Sequence, residues 1–192
     1  MRIVIDIDNT IVDYRLAVLK SLSKNDKNNL ISSDITYKDS IIKIKNFIKK
    51  NYGDSFWQLI QSEIYATFKN ISFYDGANKV INDLAKEHDI YLVSHKTKFG
   101  LGKSQDINIL KISTKRIFNW IYENGLIDSI KSVIYCDKFD EKIRMIQLLN
   151  PDVVIDDLVN IHLELIKSYK KLNKKHHILF RGISSNEITK FN

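Results

Sequence analysis

Asp6, Ile7, Asp8, Asn9 and Thr10 place two carboxylates two residues apart, with a hydroxyl two residues further on, directly after the apolar run Ile3-Val4-Ile5. In an extended chain residues i and i+2 share one side, so Asp6 and Asp8 can face one small volume. Two negative charges crowded in this way are costly unless a cation or a substrate uses them. A second acidic pair, Asp156-Asp157, follows Val153-Val154-Ile155, and Ser94 follows Ile90 to Val93. Carboxylates serve as nucleophiles, as general acids and bases, and as ligands of hard cations.

Each of these groups ends a run that reads as a strand. β-branched runs suit strands covered on both faces, and open α/β sheets present ligand-binding groups at the carboxyl ends of their strands. From about residue 76 strands and helices alternate. A helix over Ala77 to Glu87, with Val80, Ile81, Leu84 and Ala85 at helical spacing, precedes the strand Ile90 to Val93. A loop from Lys96 to Lys103 leads into a longer helix through Ile109, Ile112, Ile117, Trp120 and Ile121 that stops near Gly125. Val133 to Cys136 is the third strand, Asp140 to Leu149 a helix broken by Pro151, and Asp152 to Ile155 the fourth strand. A helix from about Val159 to Leu172 and a fifth strand at Ile178-Leu179-Phe180 close the series.

This pattern predicts an α/β fold: a three-layer Rossmann-like core with a mainly parallel sheet, helices on both faces and right-handed crossovers, plus a small helical cap. The core is expected over residues 1–13 and 76–192. Residues 14–75 read as a helical insertion without a convincing buried strand, its core supplied by Ile41, Ile44, Ile48, Phe56, Trp57, Ile60, Ile64 and Phe68, with Gly53 in a turn.

Composition bounds the function classes. The chain of 192 residues is 44% hydrophobic and 28% charged, enough for one core with a small inserted subdomain. Its apolar runs are far shorter than the roughly 18 residues of a membrane helix. The amino end lacks the series of basic region, apolar segment and cleavage site that marks a leader, so a cytoplasmic protein is expected. The single cysteine, Cys136, agrees with a reducing compartment. A net charge of +7 raises the expectation of anionic partners. Two basic stretches, Lys43, Lys45, Lys49 and Lys50, then Lys170, Lys171, Lys174 and Lys175, read as solvated helix faces.

Taken in order, DIDNT, the Ser94 that follows Leu92-Val93, the isolated Lys142 and VVIDD resemble the haloacid dehalogenase-like superfamily. Its phosphatases carry DxDxT, then Ser or Thr, then Lys, then a paired acidic motif, and the ordered match spans residues 3 to 157. The resemblance implies a Mg²⁺-dependent phosphomonoester hydrolase acting on a small phosphorylated metabolite, a nucleotide or a sugar phosphate. It implies Asp6 as the nucleophile that forms an aspartyl phosphate, and Asp8 as the acid that protonates the leaving oxygen and the base that activates water. Asp6, Asp8 through its main-chain oxygen, Asp156 and Asp157 would hold Mg²⁺, Asp157 through water or as an orienting group. Thr10 and Ser94 would bind the phosphate, and Lys142 would offset its charge. The insertion lies where this superfamily places a cap, which puts Tyr14, Arg15, Phe56 and Trp57 on the substrate side.

Other readings of the same residues stand beside these. Asp6 and Asp8 also suit a strand-end turn, Asp156 and Asp157 a helix N-terminus, and Ser94 a cap. Lys138 competes with Lys142. A calcium loop fails because Ile11 stands where the sharp-turn Gly belongs and Ala17 where the final acid belongs. Gly100 to Ser104 ends like a phosphate-binding loop, but Thr97 occupies the position of its first Gly. His95, Lys96 and Lys98 are the better candidates for an anionic substrate, whereas His176-His177 lacks metal-ligand spacing. The alternative function is a non-catalytic nucleic-acid or anion-binding protein on the same fold, or a phosphatase of nucleic-acid ends.

Overall fold

The computed structural model describes residues 1–25, 35–67, 71–100, 105–168 and 176–180. Along the chain, β1 (Arg2–Ile5) and the two-residue β2 (Val12–Asp13) precede three helices, α1 (Arg15–Asn25), α2 (Ile41–Tyr52) and α3 (Asp54–Thr67). Then follow β3 (Ser72–Phe73), α4 (Ala77–Ala85), β4 (Asp89–His95), α5 (Ile109–Glu123), β5 (Ile130–Cys136), α6 (Phe139–Leu149), β6 (Val153–Asp156), α7 (Val159–Ser168) and β7 (His176–Leu179).

The five long strands form one sheet in the order β5-β4-β1-β6-β7, with every neighbouring pair parallel. The fold is the expected α/β, three-layer, Rossmann-like one. Side-chain alternation assigns the two faces. Ile3, Ile5, Ile90, Leu92 and Val153 pack with Ile81 of α4 and with Ile117, Trp120 and Ile121 of α5. Val4, Val93, Cys136 and Val154 pack with Ile146 of α6 and with Ile161 and Leu165 of α7. The central strand is thus covered on both sides, which is why its sequence is apolar throughout rather than alternating.

Register sets the site. Ile5 is level with Leu92 on one side and Ile155 on the other, so Asp6 and Asp156, one residue further on, emerge at the same edge. β4 runs past Val93 to include Ser94 and His95, which pair with Tyr135 and Cys136, because the backbone ladder continues whatever the side chains are. β7 begins at His176, two residues before the expected Ile178.

The insertion leaves and rejoins the core through one small antiparallel pair, with Val12 opposite Phe73 and Asp13 opposite Ser72. Strands of two residues carry no readable alternation, so no pattern in the sequence marks them. The Phe73 ring stacks on Trp120 with centroids 4.6 Å apart and planes 6° apart, fixing this neck against α5. Within the insertion, Ser40 caps α2 by accepting from the Lys43 N–H, and Gly53, at φ 87°, joins α2 to α3. Ile41, Ile44 and Ile48 of α2 and Trp57, Ile60 and Ile64 of α3 are buried in the same cluster as Ile3 and Ile5. The apolar faces of α2 and α3 are thus continuous with one face of the sheet. Phe56 is half-buried and stacks on Tyr52, 4.8 Å between centroids. Phe68, residues 101–104 of the glycine-lysine loop, Lys170, Lys171, Lys174 and Lys175, and the expected end of the last helix lie outside the described residues.

Candidate active site

Beyond β1 the chain curls around one carbonyl. The N–H groups of Ile11 and Val12 donate to Ile7 O at 3.0 and 2.9 Å, and Asn9 adopts a left-handed φ of 60°. Asn is among the few side chains that tolerate this region. The Asp6 N–H still donates to Ile155 O at 2.9 Å, so the first carboxylate is anchored to the sheet while Asp8 rides on the turn.

Lys142, on the first half of α6, is 2% exposed, and its Nζ lies 2.6 Å from Asp6 Oδ1 and 2.7 Å from Asp156 Oδ2. Lys138 is exposed at the start of the same helix. Asp156 Oδ1 accepts the Leu158 N–H at 2.9 Å, and Asp6 Oδ2 accepts the Thr10 hydroxyl at 3.3 Å. Among the described residues no donor reaches the Asp157 carboxylate, which is 6% exposed. Asp8 is held on both oxygens, by Tyr14 Oη–H at 2.8 Å on Oδ1 and by Lys96 Nζ at 2.5 Å on Oδ2. Lys96 is 2% exposed and packs its ammonium 3.5 Å above the centre of the Tyr65 ring.

Burial dominates the electrostatics. It pushes Asp6 up to about 7 against the pull of Lys142, with Asp156 and Asp8 adding repulsion. Asp157 is driven well above the carboxylate range by burial and by the charges of Asp6 and Asp156. Burial alone would lower Lys142, but Asp6 and Asp156 outweigh it and hold the ammonium protonated. Lys96 is lowered, because its burial exceeds the compensation from Asp8. Tyr14 and Tyr65 are raised by burial and then by Asp8, so both stay phenols that can donate.

Asp6, Asp156 and Asp157 bring carboxylate oxygens within 4.8 Å of one another. Ionised together, three buried carboxylates around a single lysine would carry surplus negative charge, and among the described residues no donor offsets that of Asp157. An all-oxygen set of this kind fits a hard divalent cation, so the residues present suit the Mg²⁺ site expected from sequence.

A cleft of about 160 Å³ opens over this edge. Its core side is lined by Asp6, Asp8, Ser94, His95, Lys142 and Asp157, and its far wall by Ile41, Ile42 and Lys45 of α2 with Trp57, Gln61 and Tyr65 of α3. Ser94 Oγ is fully buried, belongs to this lining and has no hydrogen-bond partner among the described residues. A hydroxyl left in that state is free to donate to a bound group.

The other sequence candidates are placed differently. Thr10 is turned onto Asp6, and Lys96 is committed to Asp8 and Tyr65 rather than to the cleft lining. His95 lines the cleft with Nε2 3.1 Å from Asp137 O. Arg15 pairs with Asp13 at 2.6 Å and lies over the Tyr74 ring at 5.3 Å. Lys98 is exposed beside Phe99. His177 Nδ1 meets His162 Nδ1 at 3.2 Å, and His162 Nε2 lies 3.1 Å from Asp156 O, so that pair packs behind the second acidic motif. Sequence reasoning missed Tyr14 and Lys96 as holders of Asp8, and Lys45 and Gln61 as cleft wall. No spacing rule links them to the acidic motifs.

No protein-family model matches the sequence, and no curated protein matches it. Solved structures do. A haloacid dehalogenase-like family hydrolase of Xanthomonas campestris superposes with a TM-score of 0.50 at 14% identity, over 97% of this chain and 86% of its own. One of Streptococcus pneumoniae gives 0.52 at 9%, over 86% and 80%. A Lactobacillus plantarum protein provisionally named a phosphoglycolate phosphatase gives 0.50 at 13%, over 85% and 80%. At such identities the likeness shows the fold, the one these three solved structures share.

Proposed function

We propose that this chain is a Mg²⁺-dependent phosphomonoester hydrolase that works through an aspartyl phosphate on Asp6. One observation carries the reading: buried Lys142 bridges Asp6 and Asp156 while Asp157 stands within cation-binding reach. The similar solved structures named as hydrolases, one of them as a phosphatase, support it by analogy of fold.

In the first step a carboxylate oxygen of Asp6 bonds to phosphorus, the ester P–O bond breaks, and Asp8 gives its proton to the leaving oxygen. In the second, water attacks phosphorus, Asp8 takes the water's proton, and the bond between Asp6 and phosphorus breaks to release phosphate. Tyr14 and Lys96 fix the orientation of Asp8 for both transfers. Ser94 donates to a phosphoryl oxygen, and Lys142 offsets the charge of Asp6 and of the group in transfer. A Mg²⁺ ion held by Asp6, Asp156, Asp157 and the Asp8 main-chain oxygen would supply positive charge against the nucleophile and the phosphate. The helices of residues 14–75 serve as a cap that limits the site to small phosphorylated substrates.

Purified protein should hydrolyse a generic aryl phosphate with Mg²⁺ and lose that activity on chelation and in Asp6→Asn. Undiminished activity in Asp6→Asn, with an inactive mock preparation as control, would overturn the nucleophile assignment.

A further inference from the structure

The basic stretch on α2 is not uniform. Lys43 pairs with Asp39 at 2.7 Å, Lys49 with Asp54 at 2.9 Å, and Lys50 is exposed. Lys45 differs from all three. It stands four residues after the buried Ile41, hence on the same helix face, and both residues line the cleft that holds Asp6, Asp8 and Asp157. Its Nζ lies 5.8 Å from the centre of the Trp57 ring, and the side chain is half-buried. Burial and the nearby Lys49 lower its proton affinity, with Asp157 and Asp54 opposing.

The other two lysines of the site are occupied, Lys142 by Asp6 and Asp156 and Lys96 by Asp8. Among the described residues Lys45 is the cleft lysine with no carboxylate in salt-bridge range. It belongs to the wall built by the insertion. In the hydrolase reading, in-line attack by Asp6 would place the leaving group on the side of the cleft away from Asp6, toward that wall. The cleft is also small. About 160 Å³ falls below the roughly 300–1,000 Å³ of sites for larger ligands. It has room for a phosphoryl group and a few further heavy atoms, which disfavours a nucleoside.

We infer that Lys45 selects small phosphomonoesters whose leaving group carries its own negative charge, such as a carboxylate. The inference rests on the hydrolase reading above and deepens it. An anion there gains an ammonium that is already partly desolvated and held by an aromatic face, whereas a neutral leaving group leaves it unpaired.

The test uses ethyl phosphate, carboxymethyl phosphate and 2-aminoethyl phosphate with the wild-type protein, Lys45→Met and Lys45→Glu, all with Mg²⁺. Wild type should prefer the carboxymethyl over the ethyl ester by about tenfold or more in kcat/KM, and the aminoethyl ester should be poorest. Lys45→Met should collapse the preference, and Lys45→Glu should invert it toward the aminoethyl ester. A wild type that hydrolyses ethyl phosphate as well as its carboxymethyl counterpart overturns the inference without any variant. Equal losses on all three esters in both variants overturn it too, since Lys45 would then serve the phosphoryl group or the fold. Failure of the hydrolase reading looks different: no turnover of any of the three, nor of an aryl phosphate, at any Mg²⁺ concentration, and the inference falls with it.

Discussion

Replacing Asp6 with Asn should remove turnover and yet make the metal-free protein more stable. Burial pushes the Asp6 carboxyl from its ordinary 3.8 up to about 7 in the fold. At about 1.4 kcal/mol for each tenfold change, holding this carboxylate ionised costs the metal-free fold on the order of 4 kcal/mol. The folded value lies above the unfolded one, so the penalty is absent below pH 3.8, grows up to about pH 7 and is complete beyond it. A neutral amide escapes it, and Lys142 keeps its second partner, Asp156, at 2.7 Å. We expect a net gain of at least about 1 kcal/mol near pH 8, or roughly 2–4 °C in Tm per kcal/mol for a chain of this size. Thermal and urea unfolding in chelator should show the gain near pH 8 and its decline toward pH 4. Added Mg²⁺ should then reverse the order, because wild type would gain about 2.7 kcal/mol at a concentration a hundredfold above Kd while the variant gains less. An Asp6→Asn protein that is less stable than wild type in chelator near pH 8 would refute the crowding of negative charge at Asp6, Asp156 and Asp157.

Three further outcomes follow from single contacts. Lys142→Met leaves Asp6 and Asp156 buried without their counter-charge and should lower metal-free stability by about 3–5 kcal/mol, measured by urea unfolding; a loss below about 1 kcal/mol would contradict the buried bridge. Ser94→Ala removes a hydroxyl with no partner among the described residues, so stability should stay within about 0.5 kcal/mol while kcat falls roughly a hundredfold; matched losses in both would assign Ser94 to the fold. Lys96→Met releases one oxygen of Asp8 and should slow alkyl phosphates by on the order of tenfold more than activated aryl phosphates, since only the former need strong leaving-group protonation. Equal slowing of the two classes would argue against Lys96 as a holder of the acid.

The parts of this structure legible in the sequence are those set by one-dimensional patterns. Ile3-Val4-Ile5, Ile90 to Val93 and Val153 to Ile155 announce buried strands because both faces demand apolar residues. Parallel pairing then forces Asp6 and Asp156 to one edge, where the register puts them level. What depends on packing was silent. β2 and β3 are too short for a period, and the clamp on Asp8 joins Tyr14 to Lys96, residues brought together only when the insertion folds onto the sheet. Residue type argues against an inward lysine, so by sequence Lys45 joins its neighbours on a solvated face. Its spacing from Ile41, one turn earlier, carried the opposite message. Lys96 shows the same conflict: a lysine beyond a strand end suggests a substrate contact, but Asp8 and the Tyr65 ring take it first.

The central claim is that phosphorus bonds to Asp6 during turnover. Acid-quenching the Mg²⁺-loaded protein a few milliseconds after mixing with an activated aryl phosphate, followed by proteolysis and mass spectrometry, reads that bond directly. A nucleophilic Asp6 gives one phosphoryl group on the peptide that contains it, and none on that peptide in Asp6→Asn. Turnover at the wild-type rate with no phosphoryl group on Asp6, or with the group on another residue, would contradict it.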